Sequence, residues 1–346
     1  MGKPDGLVIG ESLIDILLDG QGVDEHAGRS PFNVAVGLGR LGYSINLATW
    51  FGNDQHGQMI IDQLAAAQVG FVPGSDSAAR TSTATVSLGL MMVADYQFDL
   101  DWQMPPLPEE LIKNPPPVVH TGSIGATKLP GAEQVLDVLR RLHGRTVISF
   151  DPNIRPGVIG PVEQVRPLVE KYVGLADIVK VSFEDLDWLY PGEKLDDENL
   201  NRALNWLALG PAIVIVTIGG AGAFGVCRAG RRVVPPPNVG PLGPMLGKDK
   251  KSESFPLPQP HLVDTVGAGD AFMAGLLDGI FSLGLADITR RSQLSGLKIE
   301  ELEELMRHAS AAAGICLTRP GADPPWRREL PPLLPPHPHP GPGPQT

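Results

Sequence analysis

The sequence predicts an α/β fold with a doubly wound, mostly parallel sheet flanked by helices, together with a small β-sheet lid. Short apolar runs alternate along the chain with longer amphipathic stretches, and this rhythm is typical of a parallel sheet covered on both faces. Two stretches, at about 12–28 and 82–103, break the rhythm, and the second alternates apolar and polar residues with period two. We expect both to supply strands outside the main sheet, forming a flap that closes over a ligand.

The regular elements follow from length and periodicity. Short apolar runs typical of buried strands occupy 6–10, 45–50, 117–122, 146–151, 177–182 and 212–220. Apolar residues at three- and four-residue spacings predict helices over 31–41, 54–69, 131–143, 162–173, 197–209 and 299–316. We therefore assign residues 1–330 to one domain.

Two proline-rich stretches interrupt or follow this pattern. Residues 235–260 contain eight prolines and a short lysine cluster, which predicts a long inserted loop rather than a regular element. Residues 331–346 are half proline and are expected to form a disordered tail.

Composition excludes some classes of function. The chain has 346 residues and a formal net charge of −11, which argues against a protein that coats nucleic acid or an anionic membrane. No apolar run is long enough to cross a bilayer, and the first residues lack the apolar core of a signal peptide. We expect a soluble, cytoplasmic protein with neither nucleic-acid nor membrane partners.

The stretch LVDTVGAGDAFMAG, residues 262–275, has the pattern of a phosphate-binding helix start. Gly267 and Gly269 permit a tight turn around Ala268, and a helix is expected to begin near Asp270. Unpaired amides of residues 266–270 would then face outward, where the helix dipole favours negative charge. Such amides suit a phosphoryl group in transfer, and Asp270 could take the proton of an attacking hydroxyl. The alternative, an Asp that only caps the helix, leaves the paired glycines unexplained.

A second glycine pattern predicts no such site. GLGRLG at 37–42 matches the dinucleotide fingerprint in its letters, but it closes a helical run and precedes a strand. A dinucleotide site requires the opposite order, strand before and helix after. Gly42 is instead expected to terminate the helix.

Several polar residues at the ends of predicted elements are candidates for ligand contacts. Asp15 and Asn33 could bind sugar hydroxyls, although a surface charge and a capping residue explain them equally well. Gly28 precedes Ser30, a plausible helix cap, and Pro31.

Other candidates follow predicted strands. Arg155 in DPNIRP could steady a phosphate, and Glu184 and Asp185 could reach Mg²⁺ through water, with helix-start carboxylates as the alternative. Thr217, Gly219 and Gly222 could let the backbone approach a nucleotide, but many hairpins share this pattern.

Taken together, these motifs resemble the ribokinase/PfkB family of sugar kinases over nearly the whole chain. DTVGAGDAFMAG is similar to the C-terminal signature of the family, and NVAVGLGRLG with FGNDQHGQMI to its N-terminal one. GESLIDIL, SPFNVAVGLGRLG, RTSTATVSL, YQFDLDW, DPNIRP and KVSFEDLDWLYPG look most like bacterial fructokinases. The resemblance implies a ribokinase-like domain with a β-sheet lid and ATP-dependent phosphorylation of a primary hydroxyl, most simply of fructose to fructose 6-phosphate.

The resemblance also implies roles for single residues. Asp270 matches the catalytic base, with Gly267, Ala268 and Gly269 as the anion hole, and Mg²⁺ accompanies ATP. The implied ligand contacts are Asp15, Gly28, Asn33 and Arg155 for the acceptor; Thr217, Gly219, Gly222 and Thr265 for the nucleotide; and Asp264 and Val266, with the loop RPGADPP, for a monovalent cation such as K⁺.

The chain departs from the family pattern at two site positions. The Gly-Gly pair before the N-terminal helix reads Gly28-Arg29, so Arg29 could alter sugar access or contact a charged substrate. The Asn-x-x-Glu motif reads Ser182 to Asp185, with a shorter carboxylate and no amide. Kinases for 2-keto-3-deoxygluconate, ribose or a nucleoside, and a non-catalytic sugar sensor, remain alternatives. Relatives also predict a homodimer through the lid.

Overall fold

The computed structural model describes residues 3–18, 22–88, 94–191, 198–237 and 261–333. Within them, one sheet contains nine strands in the order β13-β12-β11-β10-β9-β8-β1-β4-β5. Their bounds are β1 Gly6–Ile9, β4 Ile45–Ala48, β5 Gly70–Phe71, β8 Val118–Gly122, β9 Val147–Asp151, β10 Ile178–Ser182, β11 Ile213–Thr217, β12 Ala223–Cys227 and β13 Gly230–Val234. The strands from β11 to β5 pair in parallel, and β12 and β13 are antiparallel at one edge.

Strand order reverses around β1. The chain first builds outward from β1 through β4 and β5, and then returns to place β8 on the other side of β1. Ligands of open parallel sheets bind at the carboxyl ends of the strands at such a reversal, because the following loops diverge and leave a crevice. The predicted fold class, a doubly wound and mostly parallel sheet, is confirmed.

Helices cover both faces of the sheet, as the apolar strands require. The bounds are α1 Ser30–Arg40, α2 Gln55–Ala66, α3 Glu109–Lys113, α4 Gly131–Leu142, α5 Pro156–Ile159, α6 Val162–Leu175, α7 Phe183–Leu189, α8 Glu198–Leu209, α9 Ala268–Ser282, α10 Arg291–Ser295 and α11 Ile299–Leu317. One hydrophobic cluster lies under α1, α2, α9 and α11, and a second lies under α4, α6, α7 and α8.

The lid is a separate four-stranded sheet in the order β3-β2-β6-β7. Its strands are β2 Leu13–Leu18, β3 Val23–Gly28, β6 Thr83–Leu88 and β7 Ala94–Asp99. The small second sheet expected from 12–28 and 82–103 is therefore present. The chain leaves the main sheet at the end of β1 and continues into β2 of the lid. The lid therefore begins at the carboxyl edge of the main sheet, where the strand order reverses.

Local predictions had mixed outcomes. Gly42 has φ of 91° directly after α1, as expected of a helix-terminating glycine. Ser30 is not the cap of α1: the helix begins at Ser30, Arg29 holds the cap position, and the Ser30 hydroxyl makes no capping bond. The predicted loop 235–260 and tail 331–346 lie, beyond Pro237 and Leu333, outside the described residues. In the part of the chain described, no helix is long and apolar enough to cross a membrane.

The glycines of GLGRLG serve helix packing. A Cβ added to Gly37 would lie 2.8 Å from the Cβ of Ala274 in α9, so Gly37 lets α1 and α9 approach closely. This approach brings residues near the start of both helices into contact, which matters for the site described below.

A buried polar network fixes the segment after α11 to the core. Asp278 of α9, fully buried, accepts hydrogen bonds from His308 and Tyr43 at 2.7 and 2.6 Å and pairs with Arg327 through both oxygens. Burial would raise the pKa of Asp278, but the bonds from His308, Arg327 and Tyr43 hold this pKa below its usual value.

We expect Asp278→Ala to lower the free energy of unfolding by about 3 kcal/mol, because three partners lose their acceptor in a buried site. Since the pKa of Asp278 is lowered by folding, its contribution is present above about pH 4 and is lost as pH falls through the folded value. Urea unfolding at pH 7 and pH 3 measures both effects. A loss equal at the two pH values would contradict this account.

Candidate active site

The candidate site lies along the carboxyl edge of the main sheet. β9 ends at Asp151, β10 at Ser182 and β11 at Thr217; the register pairs Ser182 with Thr217 and places Asp151 level with Lys180 in β10. α9 begins at Ala268 on the same edge: a Cβ on Gly269 would lie 2.9 Å from Nζ of Lys180 in β10. α9 also packs against α1, which follows strand β3 of the lid. Most of the candidate residues from the sequence therefore converge here.

The start of α9 has the geometry of an anion site. Gly267 caps the helix with φ of 75°, and a Cβ there would lie 2.5 Å from the Cβ of Ala322, so only glycine fits. Among the residues described, the amides of Gly267 and Gly269 have no hydrogen-bond partner. The amide of Val266, expected to point outward, instead donates to Asp264 at 3.0 Å. The amide of Ala268 bonds weakly to the Thr265 carbonyl, at 3.3 Å.

Asp270 lies in the first turn of α9 and is held by α1. Its Oδ2 accepts a hydrogen bond from Nδ2 of Asn33 at 2.8 Å, although 237 positions separate the two residues. Both side chains are buried. The carboxylate is thus oriented next to the free amides of Gly267 and Gly269, where it can accept a proton from a hydroxyl aimed at an anion in the helix mouth.

The lid supplies the polar groups opposite Asp270. Gly28 ends β3 beside Asn33, and its Cβ position would lie 3.3 Å from Oδ2 of Asp15. Arg29 donates to Oδ1 of Asp15 at 2.6 Å. Burial raises the pKa of Asp15, and the positive charges of Arg29 and of Arg155, after β9, oppose this increase. Asp15, Gly28 and Asn33 therefore border the space beside Asp270, here called the cleft, and Arg155 lies near Asp15.

A buried ion pair lies directly behind Gly269. Nζ of Lys180 in β10 donates to Oδ2 of Asp151 in β9 at 2.8 Å, and both side chains are inaccessible to solvent. A Cβ added to Gly269 would lie 2.9 Å from this Nζ. Burial raises the pKa of Asp151 to about 6, with Asp185 and Asp270 adding to the effect, while Lys180 opposes it. The ammonium group of Lys180 therefore lies beneath the anion site, with Asp151 as its counter-charge.

Sequence reasoning missed Lys180 because a single charge inside an apolar strand gives no motif. The one available signal was its position as the third residue of a mostly apolar strand, where a charged side chain is unusual. Two further buried polar groups were also missed. Glu11, after β1, accepts from the amide of Gly125 at 2.6 Å, and burial raises its pKa. His120 in β8 contacts the Ser149 hydroxyl at 3.0 Å, and burial together with Lys180 lowers its pKa to about 3.

The two carboxylates expected to reach Mg²⁺, those of Asp185 and Glu184, differ in burial. Asp185 is buried and completes the capping box of α7, whose cap residue is Ser182: its oxygens accept from the amides of Ile154 at 2.8 Å and Ser182 at 3.3 Å. Glu184 is exposed on the first turn of α7. Oδ1 of Asp151 is buried without a partner among the residues described. In the same part of the chain, no group of three or more Asp, Glu, His or Cys side chains could hold a metal unaided.

The nucleotide candidates lie at the same edge. Thr217 ends β11 and pairs in register with Ser182, and Gly219 and Gly222 form the turn into β12 with φ of 47° and 94°. Thr265 belongs to the loop before α9. Asp264 orders that loop, because its two oxygens accept from the amides of Val266 and of Gly321, at 3.0 and 2.8 Å.

The chain matches one family of known proteins over most of its length. The model of the family described as pfkB family carbohydrate kinase matches residues 7–328. A fructokinase of Rhizobium leguminosarum is 31% identical over 306 residues, covering 86% of this chain and 85% of its own. A fructokinase of Klebsiella pneumoniae is 30% identical, covering 81% and 85%. An uncharacterized sugar kinase of Pyrococcus horikoshii, solved in complex with ATP, superposes with a TM-score of 0.69 at 27% identity, covering 94% and 96%.

Proposed function

Since the chain belongs to the pfkB family of carbohydrate kinases and is an ATP-dependent phosphotransferase, we propose that its acceptor is fructose, phosphorylated at the primary 6-hydroxyl. The observation that carries the proposed chemistry is the placement of Asp270, oriented by Asn33, beside the unpaired amides of Gly267 and Gly269. Both relatives reported above at 30% identity or more are fructokinases, which favours fructose over other acceptors.

In the proposed reaction, Asp270 accepts the proton of the acceptor hydroxyl as its oxygen attacks the γ-phosphorus of ATP. The bond between the γ-phosphorus and the bridging oxygen breaks, and ADP leaves with the electron pair. The amides of Gly267 and Gly269 and the dipole of α9 stabilise the charge on the transferring group, with the ammonium of Lys180 behind them.

The acceptor lies between Asp270 and the lid in this proposal. Asp15, Gly28 and Asn33 contact its hydroxyls, and Arg155 faces it from the end of β9. The register of β2 with β6 and β7 places Phe98 on the same lid face as Asp15, and the Phe98 ring lies 4.0 Å from the Cβ position of Gly157. This face covers the cleft and limits the access of water to the phosphoryl group. A homodimer through the lid stays a prediction.

We also propose which residues contact ATP and its cations. Thr217, Gly219, Gly222 and Thr265 border the ATP site. Mg²⁺ fits a site where nucleotide phosphates and water supply most ligands, because the acids nearby are few and Oδ1 of Asp151 is unpaired. Asp185 and Glu184 would contact it through water. K⁺ would bind beside Asp264 and the Val266 carbonyl, next to Gly321.

An acceptor panel tests the proposal. Fructose, 2-keto-3-deoxygluconate, ribose and a nucleoside are each offered with ATP and Mg²⁺, and ADP release is measured with and without K⁺. We expect the highest kcat/KM with fructose. A higher value for another acceptor would replace fructose with that compound, and tight sugar binding without turnover on any acceptor would indicate a sensor.

A further inference from the structure

Arg29 occupies a backbone position that favours glycine. Its φ is 102°, a value that L residues rarely adopt. It holds the cap position of α1 but makes no side-chain capping bond. Neither the turn nor the helix therefore accounts for an arginine here, and the strained conformation points to a role for the side chain.

The guanidinium of Arg29 is fixed beside Asp15, at the edge of the cleft. It donates to Asp15 at 2.6 Å, and only 17% of the side chain is exposed. Its Nε is buried without a hydrogen-bond partner among the residues described, as is Oδ1 of Asn33, whose backbone amide bonds to the Arg29 carbonyl. Buried polar atoms are almost always paired in folded proteins, so an unpaired donor and an unpaired acceptor at the start of α1 indicate a ligand that both accepts and donates hydrogen bonds, as hydroxyls do.

We propose that Arg29 determines acceptor specificity: with Asp15 it forms a fixed donor–acceptor pair that binds neighbouring hydroxyls of a neutral sugar. This inference rests on the proposed kinase function and adds the recognition of the acceptor. Arg29 presents N–H donors in a rigid fork, and Oδ2 of Asp15, beside Gly28, remains to accept. A pair of adjacent hydroxyls can satisfy both groups at once.

The charges around the cleft favour a neutral acceptor. Asp15 compensates Arg29 at hydrogen-bond distance, and Arg155 and Asp270 add one charge of each sign. A carboxylate approaching Arg29 would also meet Asp15 and would have to displace it. The ion pair thus discriminates against an acidic sugar even though it contains an arginine.

The first test is Arg29→Gly, which restores the residue that the backbone favours. We expect the Kd of fructose, measured by calorimetry with a non-hydrolysable ATP analogue, to rise at least tenfold, because donors to the acceptor are lost. KM for ATP and the melting temperature should stay within error of the wild type. The matched control is Gln68→Gly, which likewise places glycine at a position of positive φ, 59°, just after α2, and should leave fructose binding unchanged.

The second test is Asp15→Asn, which leaves Arg29 without its counter-charge. We expect the ratio of affinities for 2-keto-3-deoxygluconate and fructose to rise, because the carboxylate no longer meets an anion. An unchanged ratio, or Arg29→Gly that lowers the melting temperature but not fructose affinity, would overturn the inference. Because binding is measured directly, wild-type protein that binds fructose but does not phosphorylate it would refute the proposed function alone.

Discussion

Replacing Asp270 by alanine is expected to lower kcat about 10²- to 10⁴-fold while leaving KM for ATP unchanged. The carboxylate is the acidic group that Asn33 orients at the mouth of α9, next to the amides that would hold the phosphoryl group. Without it, the acceptor hydroxyl has no base in position. ADP release at saturating fructose measures kcat, and Asp270→Asn tests whether proton acceptance, rather than side-chain volume, is what matters.

Asp137→Ala is a matched control for this substitution. Asp137 lies on α4, and 70% of its side chain is exposed in a pair with Arg140. Its loss should leave kcat and both KM values unchanged, because exposed pairs of this kind contribute little. Near-normal turnover in Asp270→Ala would contradict the assignment of the base.

Gly269→Ala is expected to lower kcat about 10²- to 10³-fold, because it displaces the ammonium of Lys180. This is the effect typical of losing one preorganised donor to a developing negative charge. The added Cβ would lie 2.9 Å from Nζ of Lys180, so the ammonium must move from its place beneath the anion site. The obstruction is the end of a flexible side chain, and Gly269 has an ordinary helical conformation, so the fold should survive. Circular dichroism and the melting temperature verify this.

The matched control is Gly174→Ala in α6. A Cβ there meets only the Leu209 carbonyl at 3.8 Å, an ordinary contact, and alanine suits a helix interior. This variant should retain full activity. If Gly269→Ala also retains it, the ammonium of Lys180 does not contribute as proposed.

The local sequence pattern was sufficient to predict most helices and strands of this fold. Strands such as 178–182 and helices such as 131–142 were expected within a few residues of their observed bounds, because burial of an apolar face imposes period two or period 3.6 on the sequence itself. The strand–helix order also distinguished the α9 glycines from GLGRLG, whose Gly37 packs helices instead. The glycine turn into α9 and the place of Asp270 in its first turn could be predicted because they depend on neighbours along the chain.

Residues whose roles depend on distant partners could not be identified in this way. The contact of Asn33 with Asp270 and the pair of Lys180 with Asp151 join separate elements, and no local period records such a meeting. Ser30 was expected to cap α1, but the helix begins at Ser30 and Arg29 holds the cap position at a positive φ. Sequence pattern therefore sufficed to predict the helix start proposed to bind the phosphoryl group, because this feature is local to one stretch of the chain. The charges around the proposed acceptor site could be known only from the tertiary structure, because they come from strands, lid and helices that meet there. Electrostatic energy depends on the distance between charges in space and not on their separation in sequence.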